Sequence, residues 1–484
     1  MNITDLDSFK QDHGYISVDP LEGFISLPSG LDCFKQTHCR LQRVNRNDGT
    51  KIKPFVRKHD EYALYGLCTQ DYEPKVCPRC GAMLHRNGSV TTTLRHIPLG
   101  DSYSLVEADR PRFRCSCQGC EYSEVGCIPF KAKGHLITEP LRQYTEALLA
   151  YGMTLKEVAH ITGLHKCVVK DIDKARLEGL YVTVDKDGKK TLIKPEQQAR
   201  FIGIDEFKLH DGHKYATVIL DMESGCILWL QAGKKKQVVY DFIDHVGLEW
   251  MSKVEAVSSD MNSDFEQAFL EKCPHMKVVY DHFHIVKNFN DKVVSAVRKE
   301  EQRRLIAEGD IAAAEALKGS KYILTSKRVT LEAKDQEAAD GKIISRGSEL
   351  FKKQEVKQKG EQYRRYMELI SQNRLLMDLD WVKTNLEQAY LKQTSEEMKL
   401  YIEEIINYCE GTENKHFIWF ARLLRNHIDG IISHAEYPLS NGKVEGINQK
   451  IKTIRRKSYG LPDDEYFFLK LFDASRQKWR AQME

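Results

Sequence analysis

The chain has 484 residues, 41% of them hydrophobic, and a net charge of only +3 from 73 Lys and Arg against 70 Asp and Glu. That length suffices for about three domains, and the apolar content excludes wholesale disorder. The balanced charge excludes a uniformly basic surface, so a nucleic-acid partner would have to be met by local patches. No apolar run reaches the ~18 residues of a membrane span and "MNITDLDSFKQDHG" has no signal-peptide pattern, which predicts a soluble, intracellular protein.

Residues 1–70 scatter Cys33, His38, Cys39 and Cys68 without clear periodicity, and no role is read there. Residues 71–130 are different. "CPRCG" holds Cys77 and Cys80, and "FRCSCQGCEY" holds Cys115, Cys117 and Cys120. Crowding of this kind in a reducing compartment favours a metal over disulfides. A C-x2-C knuckle with a distant cysteine pair predicts one structural, tetrahedral Zn²⁺. There is one cysteine too many, so Cys115 with Cys120, or Cys117 with Cys120, completes the four. Four thiolates leave no open position for catalysis.

From 137 to 182 the pattern is helical. A helix from Pro140 to Ala150 precedes a Thr154/Glu157 capping box, an apolar set at Leu155, Val158 and Ile161, and a Gly163 turn. The next helix would bury Val168, Val169 and Ile172 and carry Lys166, Lys170 and Lys174 as a basic stripe. This is helix-turn-helix spacing with lysines for DNA phosphates, and the preceding helix favours it over an ordinary helical hairpin. "VDKDGKK" then reads as a polar turn.

Residues 198–290 change grammar. "FIGIDEFKL", "KYATVILDM" and "CILWL" predict three hairpin-linked strands. A helix through Val238, Val239, Phe242 and Val246, the strand "VEAVSSD", the helix "NSDFEQAFLEKC" and the strand "KVVYD" follow, predicting α/β architecture with a mixed sheet. Asp205 ends the first strand and Asp260 the fourth. If those strands are neighbours, both acids reach one edge and repel unless a cation lies between them, as in a divalent-metal site for phosphoryl chemistry. Glu206 is expected on the opposite face of its strand. Asp281, His282 and His284 follow the fifth strand, with Asp281 and His284 expected to support the site or the packing rather than bind metal.

Residues 291–430 read as a solvated all-helical insertion, and residues 431–484 as the second part of the split domain. There, Val444, Ile447, Ile451 and Ile454 recur at helical intervals, while Glu445, Asn448, Lys452 and Arg456 share another face. Gly460 and Pro462 end this helix. Glu445 is its lone acid before Lys450, Lys452, Arg455 and Arg456, and is the candidate third carboxylate.

In this order, "FIGIDEF", "AVSSDM", "VVYDHFHIVKNFN" and "SNGKVEGINQKIKTIRRKSYG" make the chain resemble the ISL-three family of bacterial insertion-sequence transposases. The resemblance covers roughly residues 70–475 and includes the cysteine knuckle and the helix pair. It implies an RNase H-like catalytic core with an Asp-Asp-Glu triad, carried by motif onto Asp205, Asp260 and Glu445. Two Mg²⁺ (or Mn²⁺) ions at the triad are implied, with double-stranded DNA as partner, both the terminal inverted repeats and the target. Synapsis of two ends implies a homodimer or larger oligomer, in the cytoplasm at the bacterial nucleoid. The rival readings are a catalytically inactive DNA-binding regulator, and a nuclease that cuts without joining.

Overall fold

The structure is a computed structural model that describes residues 76–99, 102–184, 186–195, 197–212, 214–348, 351–439, 442–457 and 463–476, and the strand backbones of three earlier segments. The side chains of Cys33, His38, Cys39 and Cys68, and the Gly460–Pro462 stop, lie outside the described residues. No helix among the described residues is long and apolar enough to cross a membrane. The chain divides into two compact units, residues 1–193 with 453–474 and residues 194–452 with 475–484.

In the first unit, β1 (Tyr15–Val18), β2 (Phe34–Arg43) and β3 (Tyr62–Gln70) come from the segment that shows no periodicity in sequence. They join β4 (Leu84–Leu99) and β5 (Ser102–Cys115) in a sheet of order β1-β2-β3-β5-β4, with β6 (Ser123–Val125) on β5. Three helices follow: α1 (Glu139–Ala150), α2 (Leu155–Thr162) and α3 (Lys166–Tyr181). The capping box forms as expected, with Thr154 N–H donating to Glu157 Oε2 at 2.7 Å and Glu157 N–H to Thr154 Oγ1 at 3.2 Å. Gly163 ends α2 at φ 68°, a left-handed turn that favours glycine. Leu141, Leu149, Val158, Leu164, Val169 and Ile172 bury between the three helices. The polar turn after α3 is a hairpin of β7 (Val182–Val184) and β8 (Lys190–Leu192).

The helix Asp464–Arg476 belongs largely to this first unit, which differs from the expected grouping of 431–484 with the catalytic core. Tyr466 and Leu469 bury against Leu177 of α3. Buried Asp173 accepts from Tyr466 Oη at 2.6 Å and Lys470 Nζ at 2.7 Å, so the side chains that dock this helix are about 290 residues apart.

The second unit is built on a sheet of order β11-β10-β9-β12-β13. β9 (Phe201–His210), β10 (Lys214–Asp221) and β11 (Ile227–Ala232) form an antiparallel meander. β12 (Ala256–Ser259) runs parallel to β9, and β13 (Lys277–Tyr280) parallel to β12. Parallel neighbours need crossovers, supplied here by α4 (Lys236–Val246) and α5 (Ser263–Lys272). Ile202, Ile204, Ile219, Val239, Phe242 and Phe269 bury between them.

After β13, α6 (His282–Asn288) runs into a π-helical turn, Phe289–Val294, and then into a series of helices reaching Ile432. Two stretches correct the all-helical expectation: β14 (Ile343–Ser348) and β15 (Phe351–Lys357) pair as an antiparallel hairpin. "KIISRGSELFKKQEVK" lacks an apolar stripe at helical spacing, so nothing would hold it as a packed helix. The helices share one continuous core with the sheet, in which Phe289, Phe417 and Phe420 are buried.

Candidate active site

The first constellation is the cysteine quartet. Cys77 N–H donates to Ala82 O at 2.7 Å and Gly81 N–H to Cys77 O at 2.9 Å, closing the knuckle. Cys115 ends β5, and Cys120 follows a turn in which its N–H donates to Cys117 O at 3.2 Å. The Sγ atoms of Cys77, Cys80, Cys115 and Cys120 all lie within 4.8 Å of one another, with Cys77–Cys120 at 3.8 Å and Cys80–Cys115 at 3.3 Å. Zn–S bonds of ~2.3 Å in a tetrahedron put sulfurs ~3.8 Å apart, so the quartet fits a structural zinc. Cys117 stands outside it. Its Sγ faces Gln118 O at 3.6 Å, while its backbone N–H lies 3.4 Å from Cys115 Sγ, a donor that would stabilise a thiolate.

The second constellation lies where β12 ends beside the middle of β9. Asp205 does not end its strand as expected, because β9 runs on to His210 while its parallel pairing with β12 stops at Ile204. Their parallel register pairs Ile204 with Ser259, so Asp205 and Asp260 follow at the same edge of the sheet. A cavity of about 600 Å³ opens there, lined by Asp205, Glu206, Asp260, Asn262, His284 and Asn288. Burial, and then the charge of Asp260, raise the Asp205 carboxyl above its ordinary range. Asp205 Oδ1 accepts from the Glu206 N–H at 2.7 Å, and Oδ2 accepts from the Asn448 amide.

His284 brings a cation to these acids. Its Nδ1 lies 2.7 Å from Asp260 Oδ1 and 3.2 Å from Asp281 Oδ2. The two contacts, Asp260 first, raise the imidazole to about 10. Asp281 also caps α6 by accepting from the Phe283 N–H at 3.1 Å. Glu206 departs from its expected place: it lines the same cavity as Asp205, and Asn262 Nδ2 donates to its Oε1 at 2.6 Å. β12 stops at Ser259, so beyond Ile204 one flank of β9 has no neighbouring strand, and Asn262 in the turn is there to hold the longer side chain.

The helix Gly442–Lys457 docks on β9 at two points. A Cβ on Gly203 would lie 2.9 Å from Val444 Cγ2 and 2.5 Å from Met222 Sδ, so only glycine permits this approach. Asn448 then meets Asp205. Two residues along a strand advance ~6.6 Å and four along a helix ~6 Å, so both contacts are made in one register. Val444, Ile447 and Ile451 are buried as expected, and Ile454 is half-buried.

Glu445 lies one turn before Asn448 and is exposed, and it does not line the cavity. Among the described residues, the cysteine quartet is the only group of three or more His, Cys, Asp or Glu whose ligand atoms all lie within 4.8 Å of one another. Asp205 and Asp260 therefore share a cavity directly, while Glu445 is tied to it through its helix and Asn448. Asn448 shows in the sequence only as a neighbour of Glu445 on one helical face, and its Oδ1 is buried without a partner.

The basic residues are placed unevenly. Lys450, Lys452 and Arg456 are exposed, while Arg455 is half-buried 5.7 Å over the Phe467 ring. The expected stripe on α3 is not left to solvent. Lys170 and Lys174 each reach Asp463 Oδ2 at 3.1 Å, and only Lys166 of the three is exposed. Asp463 comes from a segment nearly 300 residues away, which no local spacing reveals.

Residues 202–471, more than half of the chain, match the ISL3 family profile described as a transposase. Residues 73–120 match the profile of the zinc-finger of transposases of IS204, IS1001, IS1096 and IS1165. The chain is 25% identical over 398 residues to the transposase for insertion sequence element IS1001 of Bordetella parapertussis, covering 82% of this chain and 87% of that protein. It is 24% identical over 405 residues to the transposase for insertion sequence element IS1557 of Mycobacterium tuberculosis, covering 80% and 82%. The matched span takes in β9 and β12 with their two aspartates, the helices beyond and the helix of Glu445 and Asn448, and the second match takes in the cysteine quartet. The chain belongs to the ISL3 family of transposases.

Proposed function

We propose that this transposase binds the terminal inverted repeats of an insertion sequence and cuts and joins DNA strands at the cavity of Asp205 and Asp260, with Glu445 as the third carboxylate. The observation that carries the proposal is the shared cavity, in which burial and the neighbouring acid together raise Asp205. Two carboxylates at one edge suit a divalent cation, and the rest of the lining mixes polar Glu206, Asn262, His284 and Asn288 with apolar Ile204, Met261 and Phe265. Asp205, Asp260 and Glu445 would hold two Mg²⁺ (or Mn²⁺) ions, which when bound would supply Lewis-acid chemistry for in-line attack on a phosphodiester by water or a DNA 3′-hydroxyl.

The chain's own residues prepare that site. The Glu206 N–H and the Asn448 amide hold the plane of the Asp205 carboxylate. His284 restrains Asp260, and Asp281 restrains His284. Glu445, exposed on the docked helix, has the freedom to turn toward the cavity when DNA and metal arrive. We read the 3-2-1-4-5 strand order, an antiparallel meander followed by two parallel strands, as RNase H-like. Lys166 at the start of α3, with Lys450, Lys452 and Arg456, would take phosphates of end and target DNA. The zinc site would hold the knuckle rigid. Synapsis of two ends would make the active form at least a dimer.

A binding-only regulator has no need of two acids held in one cavity, which favours the enzymatic reading. The test is strand transfer: purified protein with Mg²⁺ and inverted-repeat ends should nick the end and join its 3′-hydroxyl to target DNA. Cutting without joining would establish the nuclease, and binding without cutting the regulator.

A further inference from the structure

Helix α6 serves two cavities. His284 and Asn288, four residues apart, line the carboxylate cavity. Phe283, Val286, Lys287 and Asn290, spaced as another stripe, line a second cavity of about 250 Å³ with Lys321 and Thr325. We infer that this second cavity receives one unstacked base of the DNA strand being cut, with Phe283 stacking on its face. The inference rests on the DNA-cleaving reading of the first cavity.

Four observations converge on that occupant. The cavity is smaller than the ~300–1,000 Å³ of drug-sized ligand sites, which suits a single flat ring system. Phe283 in its wall is 56% exposed, and an accessible aromatic face stacks on any base. Asn290 also lines the cavity, and a side-chain amide can pair with the polar edge of a base. Lys287 is exposed, and Lys321, 3.1 Å from Asp291, adds a second ammonium group beside the cavity. Both suit the phosphates flanking a base.

The location supplies the reason. Phe283 and His284 are adjacent residues, so a base held at Phe283 would be close to a phosphate at Asp260. A phosphate drawn into a recessed cavity strains the stacked duplex beside it, and extruding one base relieves that strain. Asn290 and Asp291 lie within the π-helical turn, and such turns occur often at functional sites.

The test places 2-aminopurine at each of the positions flanking the cut in an inverted-repeat end, with Ca²⁺ replacing Mg²⁺ to bind without cutting. Wild-type protein should raise fluorescence several-fold at one position, and Phe283→Ala should abolish the rise while end affinity stays within about threefold. Cleavage by Phe283→Ala should fall roughly ten- to hundredfold, the range expected for one lost stacking partner. Phe283→Trp should retain both signals, and an abasic residue at the reporting position should restore cutting by Phe283→Ala. Wild-type cutting with no fluorescence rise at any position, or an undiminished rise with Phe283→Ala, overturns the pocket and leaves the function reading standing. Wild-type protein that cuts no end overturns the function reading, and the occupant of the pocket with it.

Discussion

His284 Nδ1 stands 2.7 Å from Asp260 Oδ1, with Asp281 Oδ2 3.2 Å away behind it. An imidazolium within ion-pair distance of two carboxylates attracts both, and so favours one placement of the one that lines the cavity. Groups that orient a metal ligand in this way commonly matter ten- to hundredfold for metal affinity or activity. His284→Ala should therefore lower strand transfer by roughly that factor and raise the Mg²⁺ concentration needed for half-maximal rate. Affinity for the DNA end should change little. An unchanged Mg²⁺ requirement would show that His284 only packs against the site.

The carboxylates themselves should be all or none. Asp205→Asn, Asp260→Asn and Glu445→Gln preserve shape but remove charge, so each should stop cutting and joining while end binding persists. Double substitutions should be no worse than single ones, because a site missing one ligand is already inactive. Glu206→Gln and Asp281→Asn should cause partial losses. The first removes charge from the same cavity, and the second loosens His284. Full inactivation by Glu206→Gln with residual activity in Glu445→Gln would reassign the third carboxylate to Glu206.

Asn448 offers a separate handle on the Glu445 helix. Its amide donates to Asp205 while Val444 packs on Gly203, so the helix is registered at both points. Asn448→Ala should weaken Mn²⁺ binding measured by calorimetry and cut strand transfer roughly tenfold or more. Gly203→Ala should act on the same helix by a different route, since the added Cβ meets Val444 and Met222. If Asn448→Ala bound Mn²⁺ as wild type does, the contact would be incidental.

Zinc should follow the quartet. Cys80→Ser should lose the metal by elemental analysis and render residues 71–130 protease-sensitive, because such sites supply folding energy to small segments. Cys117→Ser should keep the metal, since that side chain stands outside the four. Zinc retained in Cys80→Ser together with zinc lost in Cys117→Ser would exchange the two assignments.

Asp463 predicts a pH dependence in the first unit. Burial alone would raise its carboxyl, but the Tyr466 N–H and the Lys174 and Lys170 ammonium groups outweigh that and hold it at about 2. A depressed carboxyl stabilises the fold above its unfolded value of ~3.9, and that stability is lost as pH falls toward 2. Asp463→Asn should thus lower the melting temperature at pH 7, by an amount equivalent to about 1 kcal/mol. The difference from wild type should shrink between about pH 4 and pH 2. The same variant releases two lysines, so its DNA affinity should rise and depend more steeply on salt. A difference in melting temperature that stays constant down to pH 2 would rule out the ion pair as its cause.

Much of this protein is written in local sequence. The knuckle spacing of Cys77 and Cys80, the Thr154/Glu157 capping box, the β9–β10–β11 meander and the apolar stripe through Val444, Ile447 and Ile451 follow from periodicities of a few residues. Local backbone preference and the burial of one face suffice to determine such elements. Asp205 and Asp260 could be anticipated together from their two strands, although β9 continues past Asp205 to His210 and the shared edge is set by where β12 stops. Other features required the folded chain. That Cys115 rather than Cys117 completes the quartet depends on which sulfur the β5 end and its turn aim inward. That Glu206 shares the cavity depends on where β12 stops. Lys170 and Lys174 look available for phosphates until Asp463 folds back across them, and Asn448 gains meaning only when its helix settles on Asp205. The physical reason is the same in each case: the partner lies tens to hundreds of residues away, and an electrostatic or packing contact depends on distance in space, which sequence separation does not encode.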